Sequence, residues 1–351
     1  MSTSKLSKDL GRTLMAVAAA FACTFILDEA DIGNLSFYLL WSFLAMGLAV
    51  MWGHGGILSF GQTAFFGLAG YAYGVLSINF GGGVVQGWGS VALAIVIAAA
   101  GSALLGYMIC YGRVTGIFIG IVTLSVTLVF ETFMSQTAGP QWTIGSARLN
   151  GFNGMSGMPV LSIYWSGEEL AIEGSRFFML VVVLLAVAYL CLARLLSSSF
   201  GLKLASIRDN PRRAEMLGID IRFYQLMVFV IGGVLAGLSG VLYTVWGSYI
   251  TPSSMGITAA ALPIIWVATA GRKSIGGAIL CAAGLIALSQ WLAVYGSEYA
   301  LILMGAILLF VVLIAPQGLL PWVADTAHVL VKRPQRWIYP NRRSKVNKEV
   351  V

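Results

Sequence analysis

The sequence predicts an all-α polytopic membrane protein with about ten transmembrane helices. Of its 351 residues, 58% are hydrophobic and only 10% are charged, and the mean hydropathy is +0.87. A soluble domain carries about 25% charged residues, because water must solvate its surface. Long apolar stretches separated by short gaps are typical of helices that cross a hydrocarbon core about 30 Å thick. The composition therefore excludes a water-soluble fold.

Ten apolar stretches are candidates for membrane spans. In chain order they cover residues 14–27, 35–52, 57–78, 91–111, 115–134, 177–196, 223–246, 257–270, 275–293 and 299–315. The first stretch is short, but the spans that follow it favour a membrane anchor over a cleaved signal peptide.

The basic residues predict the side of the membrane that each loop faces. With the N-terminus in the cytoplasm, alternation places only Arg148 and Arg176 outside, and the other Lys and Arg residues of the loops and termini fall inside. This distribution follows the positive-inside rule, so the net charge of +7 indicates topology and not nucleic-acid binding. We predict a cytoplasmic N-terminus (1–12), a transmembrane domain (13–320) and a basic cytoplasmic tail (321–351).

Glycines interrupt the third span, within the sequence WGHGGILSFGQTAFFGLAGYAYGVLSINFGGG of residues 52–83. Non-helical backbone survives at membrane depth only where it is buried in protein or lines a watered cavity. In transporters such breaks often mark the substrate path, although small residues also allow close helix packing. We interpret the segment as a mixture of packing and path lining. The predicted path residues here are Gly55, Gly56, Ser59, Phe60, Gly61, Gln62, Phe65 and Phe66.

Glu131 is the one acidic residue well inside a predicted span. Ionisable residues at membrane depth are candidates for a functional role, so we add Glu131 to the predicted path. Its position near the outer end of the span allows the alternative that its side chain snorkels to the membrane surface or hydrogen-bonds a neighbouring helix. Two further glycine patterns, Gly112 with Gly116 and Gly120, and Gly233 with Gly237, have the spacing of helix–helix contacts.

Two loops are long enough to carry structure of their own. The outer loop, 135–176, is rich in Gly, Ser, Asn and Trp and is predicted to form a short helix or hairpin. In the inner loop, 197–222, Asn210 before Pro211 predicts a helix start. Gly218 predicts its end in the left-handed conformation. A short capped helix suits docking onto a cytoplasmic partner, and a solvated connecting helix is the alternative.

Motifs for chemistry are absent from the sequence. A phosphate-binding loop requires a glycine five residues before Gly271, and this chain has Trp266 at that position. His54 and His328 are far apart, and the four cysteines lie in apolar stretches without C-x-x-C spacing. We therefore expect no metal site, no cofactor bound by this chain, and no enzymatic activity of its own.

Four ordered motifs resemble those of a known family. GHGGILSFGQTAFFGLAGYAYG (53–74) is similar to the signature of the branched-chain amino acid ABC importer permeases, which also include urea and short-chain amide permeases. RVTGIFIGIVT (113–123), LNGFNGMSGM (149–158), and the pair formed by 207–218 and LAGLSGVLY (235–243) match further family motifs. The resemblance covers roughly residues 35–320.

The resemblance implies a fold and a set of partners. In this family two homologous permease subunits form the pore in a prokaryotic inner (plasma) membrane. Two ATP-binding subunits, which hold ATP and Mg²⁺, dock beneath it, and an extracytoplasmic solute-binding protein delivers the solute. By position, residues 210–218 resemble the coupling helix that contacts the ATP-binding subunits. The residues that we assign to coupling are Arg208, Asn210, Arg212, Arg213, Ala214, Glu215 and Gly218.

The sequence also departs from the family pattern and leaves the cargo open. ABC importers often carry E-A-A-x-x-x-G in the inner loop, where this chain has Arg212, Arg213 and Ala214 before Gly218. A family turn G-G-x-G-(T/S) appears as AGRKS at 270–274. Branched-chain or other hydrophobic amino acids are the expected cargo. Because IIWVATAGR (264–272) is similar to the urea branch, urea or a short amide is the alternative. A stand-alone secondary transporter or channel is a second alternative, and an integral membrane enzyme is a third.

Overall fold

The computed structural model describes residues 3–81, 83–165, 168–314 and 318. The predicted tail, 321–351, lies outside the described residues. The α-helices of the described chain are α1 (Thr3–Ile26), α2 (Glu29–Leu48), α3 (Gln62–Phe80), α4 (Val84–Tyr111), α5 (Ile117–Gln136), α6 (Gly174–Ser197), α7 (Ser199–Asp209), α8 (Pro211–Met216), α9 (Ile221–Gly247), α10 (Ile257–Ala270), α11 (Ile275–Ala293) and α12 (Ser297–Ile314).

The ten predicted spans coincide with ten of these helices, α1 to α6 and α9 to α12, so the all-α polytopic prediction is confirmed. Seven helices of the described chain are long and apolar enough to cross a membrane. The apolar parts of α10 and α12 are shorter, and α3 carries polar and glycine residues that lower its hydropathy. Twelve of the 19 residues of α3 are buried, so much of this helix is enclosed by protein.

Helix α9 lies at the centre of the bundle and packs against α2, α3 and α4. Small residues allow these close approaches. A Cβ on Gly233 would overlap the side chain of Ser102 in α4, and one on Gly237 would lie 2.6 Å from the Cβ of Ala98. The predicted helix contact at Gly233 and Gly237 is confirmed.

The predicted helix contact at Gly112, Gly116 and Gly120 is wrong for its first two members. Helix α4 ends at Tyr111 and α5 begins at Ile117, so Gly112 and Gly116 cap the two helices on either side of a turn. Gly116 has a φ of +61°, a left-handed conformation that glycine adopts without steric cost. Only Gly120 makes a contact, with the ring of Phe60.

The outer loop contains both a hairpin and a short helix, as predicted. Strands β4 (Ser162–Trp165) and β5 (Glu168–Ala171) form the hairpin, and Gly151–Asn153 forms a 3₁₀ turn. Two-residue strands β1 (Thr143–Ile144) and β2 (Ala147–Arg148) pair with each other. Strand β3 (Met155–Ser156) pairs with β6 (Tyr249–Ile250), which follows α9. This last pairing attaches the outer loop to the central helix.

The inner loop forms two helices, α7 and α8, of which only α8 was predicted. The Asn210 side chain accepts a hydrogen bond from the Arg213 amide at 3.0 Å, and Pro211 occupies the first turn. Gly218 has a φ of +77°, so the predicted cap residues are confirmed. Helix α7 buries Gly201, Leu204 and Ile207. Their three-residue spacing was the available signal for this helix.

Candidate functional site

The candidate site is a break between α2 and α3. Helix α2 continues as a π-helical turn, Ala49–His54, and the amides of Gly55 and Ile57 bond the carbonyls of Val50 and Met51 at 3.0 and 2.9 Å. Residues 55–61 are not helical, and Gly56 has a φ of +72°. The prediction that the third span begins at residue 57 was wrong. The left-handed Gly56 turns the chain out of the helix, and α3 begins only at Gln62.

Helix α5 satisfies the backbone of the break at Phe60. The Phe60 amide donates to Thr123 Oγ1 at 3.0 Å, and Thr127 Oγ1 donates to the Phe60 carbonyl at 3.3 Å. Both threonines are fully buried. Broken backbone at membrane depth needs such partners. Sequence reasoning missed Thr123 and Thr127, although their four-residue spacing before Glu131 places all three on one helix face.

Glu131 lies one helical turn beyond Thr127 and does not join the break. Its Oε1 lies 3.6 Å from the position that a Cβ would take on Gly256, the residue that precedes α10. The N-terminus of a helix favours a nearby carboxylate through the helix dipole. Glu131 therefore extends the polar stripe of α5 towards the predicted outer side.

We expect Thr123→Val to destabilise the protein by about 1–3 kcal/mol, because the buried Phe60 amide loses its acceptor. Thermal unfolding of the purified protein measures the effect. Ser125→Ala is the matched control, since the exposed Ser125 hydroxyl bonds only the Ile121 carbonyl of its own helix. Equal melting temperatures for the two variants would contradict the role of Thr123.

On its predicted cytoplasmic side the break contacts two other segments. Arg208 Nη1 of α7 donates to the Gly53 carbonyl at 2.8 Å. The turn between α10 and α11 lies against Gly53 from another direction, since a Cβ there would overlap the Arg272 backbone. The Arg272 guanidinium lies 5.2 Å from the centre of the Trp52 ring. The structure thus joins the predicted path to one predicted coupling residue, Arg208.

A cavity of about 780 Å³ lies between the break and α8. Its lining includes Gly56 and Ile57 of the break, Glu215 of α8, and Arg222 of α9. The cavity therefore connects the predicted path residues with the predicted coupling helix, and its lining carries charges of both signs.

The remaining predicted path residues point in different directions. Gln62 is buried, its Nε2 contacts Met51 Sδ, and its Oε1 lacks a partner among the described residues. The Ser59 hydroxyl accepts from the Gly61 amide at 3.1 Å. Phe65 packs edge-on against Phe229 of α9 at 5.8 Å. Phe65 thus belongs to the helix packing around α9.

Phe66 belongs to an aromatic cluster formed by Trp41, Phe66, Tyr243 and Trp266. The sequence analysis did not predict this cluster. Trp41 stacks on Phe66 with ring centres 4.9 Å apart, and it lies 5.5 Å from Tyr243 and 6.0 Å from Trp266. The four residues come from α2, α3, α9 and α10. Because distant segments contribute them, no sequence spacing signals the cluster, which lies one turn along α3 from the break.

Comparison with known proteins gives matches over most of the chain. The sequence model of a family described as "Branched-chain amino acid transport system / permease component" matches residues 32–312. The high-affinity branched-chain amino acid transport system permease protein LivM of Escherichia coli K12 is 26% identical over 332 residues, covering 88% of this chain and 73% of the relative. No solved structure matches the chain.

Two further relatives cover less of this chain. A probable branched-chain amino acid transport permease protein LivM of Methanocaldococcus jannaschii is 24% identical over 294 residues, covering 76% of this chain and 81% of the relative. The nucleoside ABC transporter permease protein NupC of Lactococcus lactis is 26% identical over 195 residues, covering 54% of this chain and 59% of the relative. The break and the inner loop both lie inside the range matched by the family.

Proposed function

Because the chain belongs to the family of branched-chain amino acid transport permease components, we propose that it is the membrane-spanning subunit of an ATP-driven importer of branched-chain or other hydrophobic amino acids. The protein is a multi-pass component of a prokaryotic inner membrane. Its proposed partners are a homologous second permease subunit, two ATP-binding subunits that hold ATP and Mg²⁺, and an extracytoplasmic solute-binding protein.

The observation that carries this proposal is the surface of α8 and the residue that follows it. Met216 and Leu217 are 88% and 73% exposed, whereas Ala214 is buried against the protein. Large apolar side chains at the tip of a charged loop are typical of a surface that contacts a partner. Arg212, Arg213 and Glu215 surround them. This surface supports docking of α8 onto an ATP-binding subunit.

The proposed path follows the break. Solute passes residues 55–62 and reaches the cavity above α8, with Glu131 nearer the outer entrance. The glycines and the irregular turn let this segment change shape more readily than a regular helix. Movement of the inner loop, driven by the ATP-binding subunits, opens and closes the segment. The second permease subunit completes the pore.

The choice of a hydrophobic cargo rests on the LivM relatives, whose names give branched-chain amino acids. The aromatic cluster does not bear on the cargo, because Phe66 and Trp266 are fully buried in the core. The match to the nucleoside permease NupC makes a nucleoside a further cargo to test.

Transport by the intact complex, purified through a tag on this chain, tests the proposal. The complex is reconstituted in vesicles with its binding protein outside and ATP inside, and labelled leucine, urea and uridine are supplied in turn. We expect ATP-binding subunits to co-purify and leucine uptake to require ATP. Leucine flux through this chain alone, without ATP, would indicate a secondary transporter or channel. Uptake of urea or uridine but not leucine would contradict the cargo.

A further inference from the structure

Arg208 is held in one orientation at the end of α7. Its Nε and Nη2 both donate to Asp209 Oδ1 at 3.0 Å, while Nη1 donates to the Gly53 carbonyl at 2.8 Å. The Arg208 side chain is only 21% exposed. A guanidinium that makes three charge-assisted or carbonyl bonds with fixed geometry is a more rigid connection than a single flexible ion pair.

The Gly53 carbonyl accepts from Arg208 because no backbone amide of its own helix is available to it. The last carbonyls of a helix lack amide partners within the helix, and Gly53 lies in the final π-helical turn of α2. The amides of Gly55 and Ile57 bond Val50 and Met51 instead. A cation at a helix C-terminus is also stabilised by the helix dipole. Arg208 therefore caps α2 from another part of the chain.

The aliphatic part of Arg208 contacts the first residues of the break. Its Cγ lies 3.3 Å from the position that a Cβ would take on Gly56, the left-handed residue that turns the chain out of α2. On another side of Gly53 lies the backbone of Arg272 and Lys273. The end of α2 is thus enclosed between α7 and the turn that joins α10 to α11.

We propose that Arg208 is the positioning residue that transmits movement of the inner loop to the break between α2 and α3. Only Asn210 separates α7 from α8, so a displacement of α8 moves the last turn of α7. The bond from Arg208 then displaces Gly53 and the residues that follow it. This inference rests on the proposed function, since it requires an ATP-driven partner at α8.

A purely structural role for Arg208 predicts a different outcome. Helix α7 is also anchored by the buried side chains of Leu204 and Ile207, and this packing does not depend on Arg208. Loss of the guanidinium should therefore leave α7 in place and remove only the connection to Gly53. The number of ATP molecules hydrolysed for each leucine imported distinguishes the two roles of Arg208. The ratio rises if Arg208 transmits movement to the break, and it stays unchanged if Arg208 only contributes to packing.

The test compares variants of the intact complex in vesicles. We expect Arg208→Gln to raise the ATP hydrolysed per leucine by about tenfold, a coupling loss of about 1.4 kcal/mol. Arg208→Lys retains a cation without the planar fork and should show a smaller increase. Asp209→Asn removes the negative charge that accepts from Arg208 Nε and Nη2 but keeps the bond from Arg208 to Gly53. It should also give a smaller increase in the ATP hydrolysed per leucine. Arg194→Gln removes an exposed arginine from the last turn of α6 and serves as the matched control.

The possible results distinguish a failure of the inference about Arg208 from a failure of the proposed function on which it rests. Wild-type ATP-driven leucine import with an unchanged ratio in Arg208→Gln would overturn the role of Arg208 and leave the proposed function intact. If Arg208→Gln does not assemble, unchanged ratios in both Arg208→Lys and Asp209→Asn would overturn it equally. Absence of ATP-driven import by the wild-type complex would overturn the proposed function, and the inference with it.

Discussion

Gly61→Leu is expected to lower the initial rate of ATP-driven leucine uptake about a hundredfold. A Cβ on Gly61 would lie 3.1 Å from the Cβ of Thr123 and 3.3 Å from Ser59 Oγ. A leucine side chain must push α5 away from Phe60 and break its bonds to Thr123 and Thr127. Overpacking costs about 1–3 kcal/mol, and each 1.4 kcal/mol is about a tenfold change in rate.

Gly284→Leu is the matched control for this variant. Gly284 lies on an exposed face of α11, and a Cβ there meets no atom within 4 Å. We expect its uptake to equal that of the wild type, with both variants inserted in the membrane to the same level. Normal flux in Gly61→Leu would contradict the account, because the break would then tolerate a large side chain against Thr123 and Ser59.

Replacing Met216 and Leu217 together by glutamine is expected to prevent stable docking of the ATP-binding subunits. Burial of one large apolar side chain contributes about 1.5–3 kcal/mol, so loss of both should weaken the complex about a hundredfold or more. Co-purification from detergent measures the loss, and leucine uptake should fall with it. The effect requires no change in the transmembrane helices.

Leu202→Gln provides the comparison for this double variant. Leu202 is 71% exposed on α7, so the substitution removes one comparably exposed apolar side chain from the same loop but outside α8. We expect full recovery of the ATP-binding subunits with Leu202→Gln. Equal losses for the two variants, or full recovery with both, would contradict docking through the tip of α8.

The membrane helices could be predicted from the sequence because one requirement dominates each of them. An apolar stretch that crosses the bilayer must satisfy its own backbone as a helix, and ten apolar stretches gave ten helices. The ends of α8 were equally predictable, because Asn210, Pro211 and Gly218 act on their own local backbone. Local chemistry and the bilayer together determine these features.

The parts that sequence reasoning missed depend on contacts between distant segments. Residues 57–61 are apolar enough to continue a span, but the left-handed Gly56 and the bonds from Thr123 hold them out of the helix. The contact of Arg208 with Gly53 joins residues 155 positions apart. The aromatic cluster around Trp41 draws on four helices. A single sequence without covarying relatives gives no sign of such pairings.

Hydrogen–deuterium exchange of the amides of residues 55–61 tests the central claim most directly. The claim is that ATP-driven movement of the inner loop reshapes the break between α2 and α3. In the intact complex we expect exchange at Phe60 and Gly61 to differ between the nucleotide-free and ATP-bound states, while exchange in the middle of α4 stays constant. Identical exchange at residues 55–61 in the two states would contradict the account.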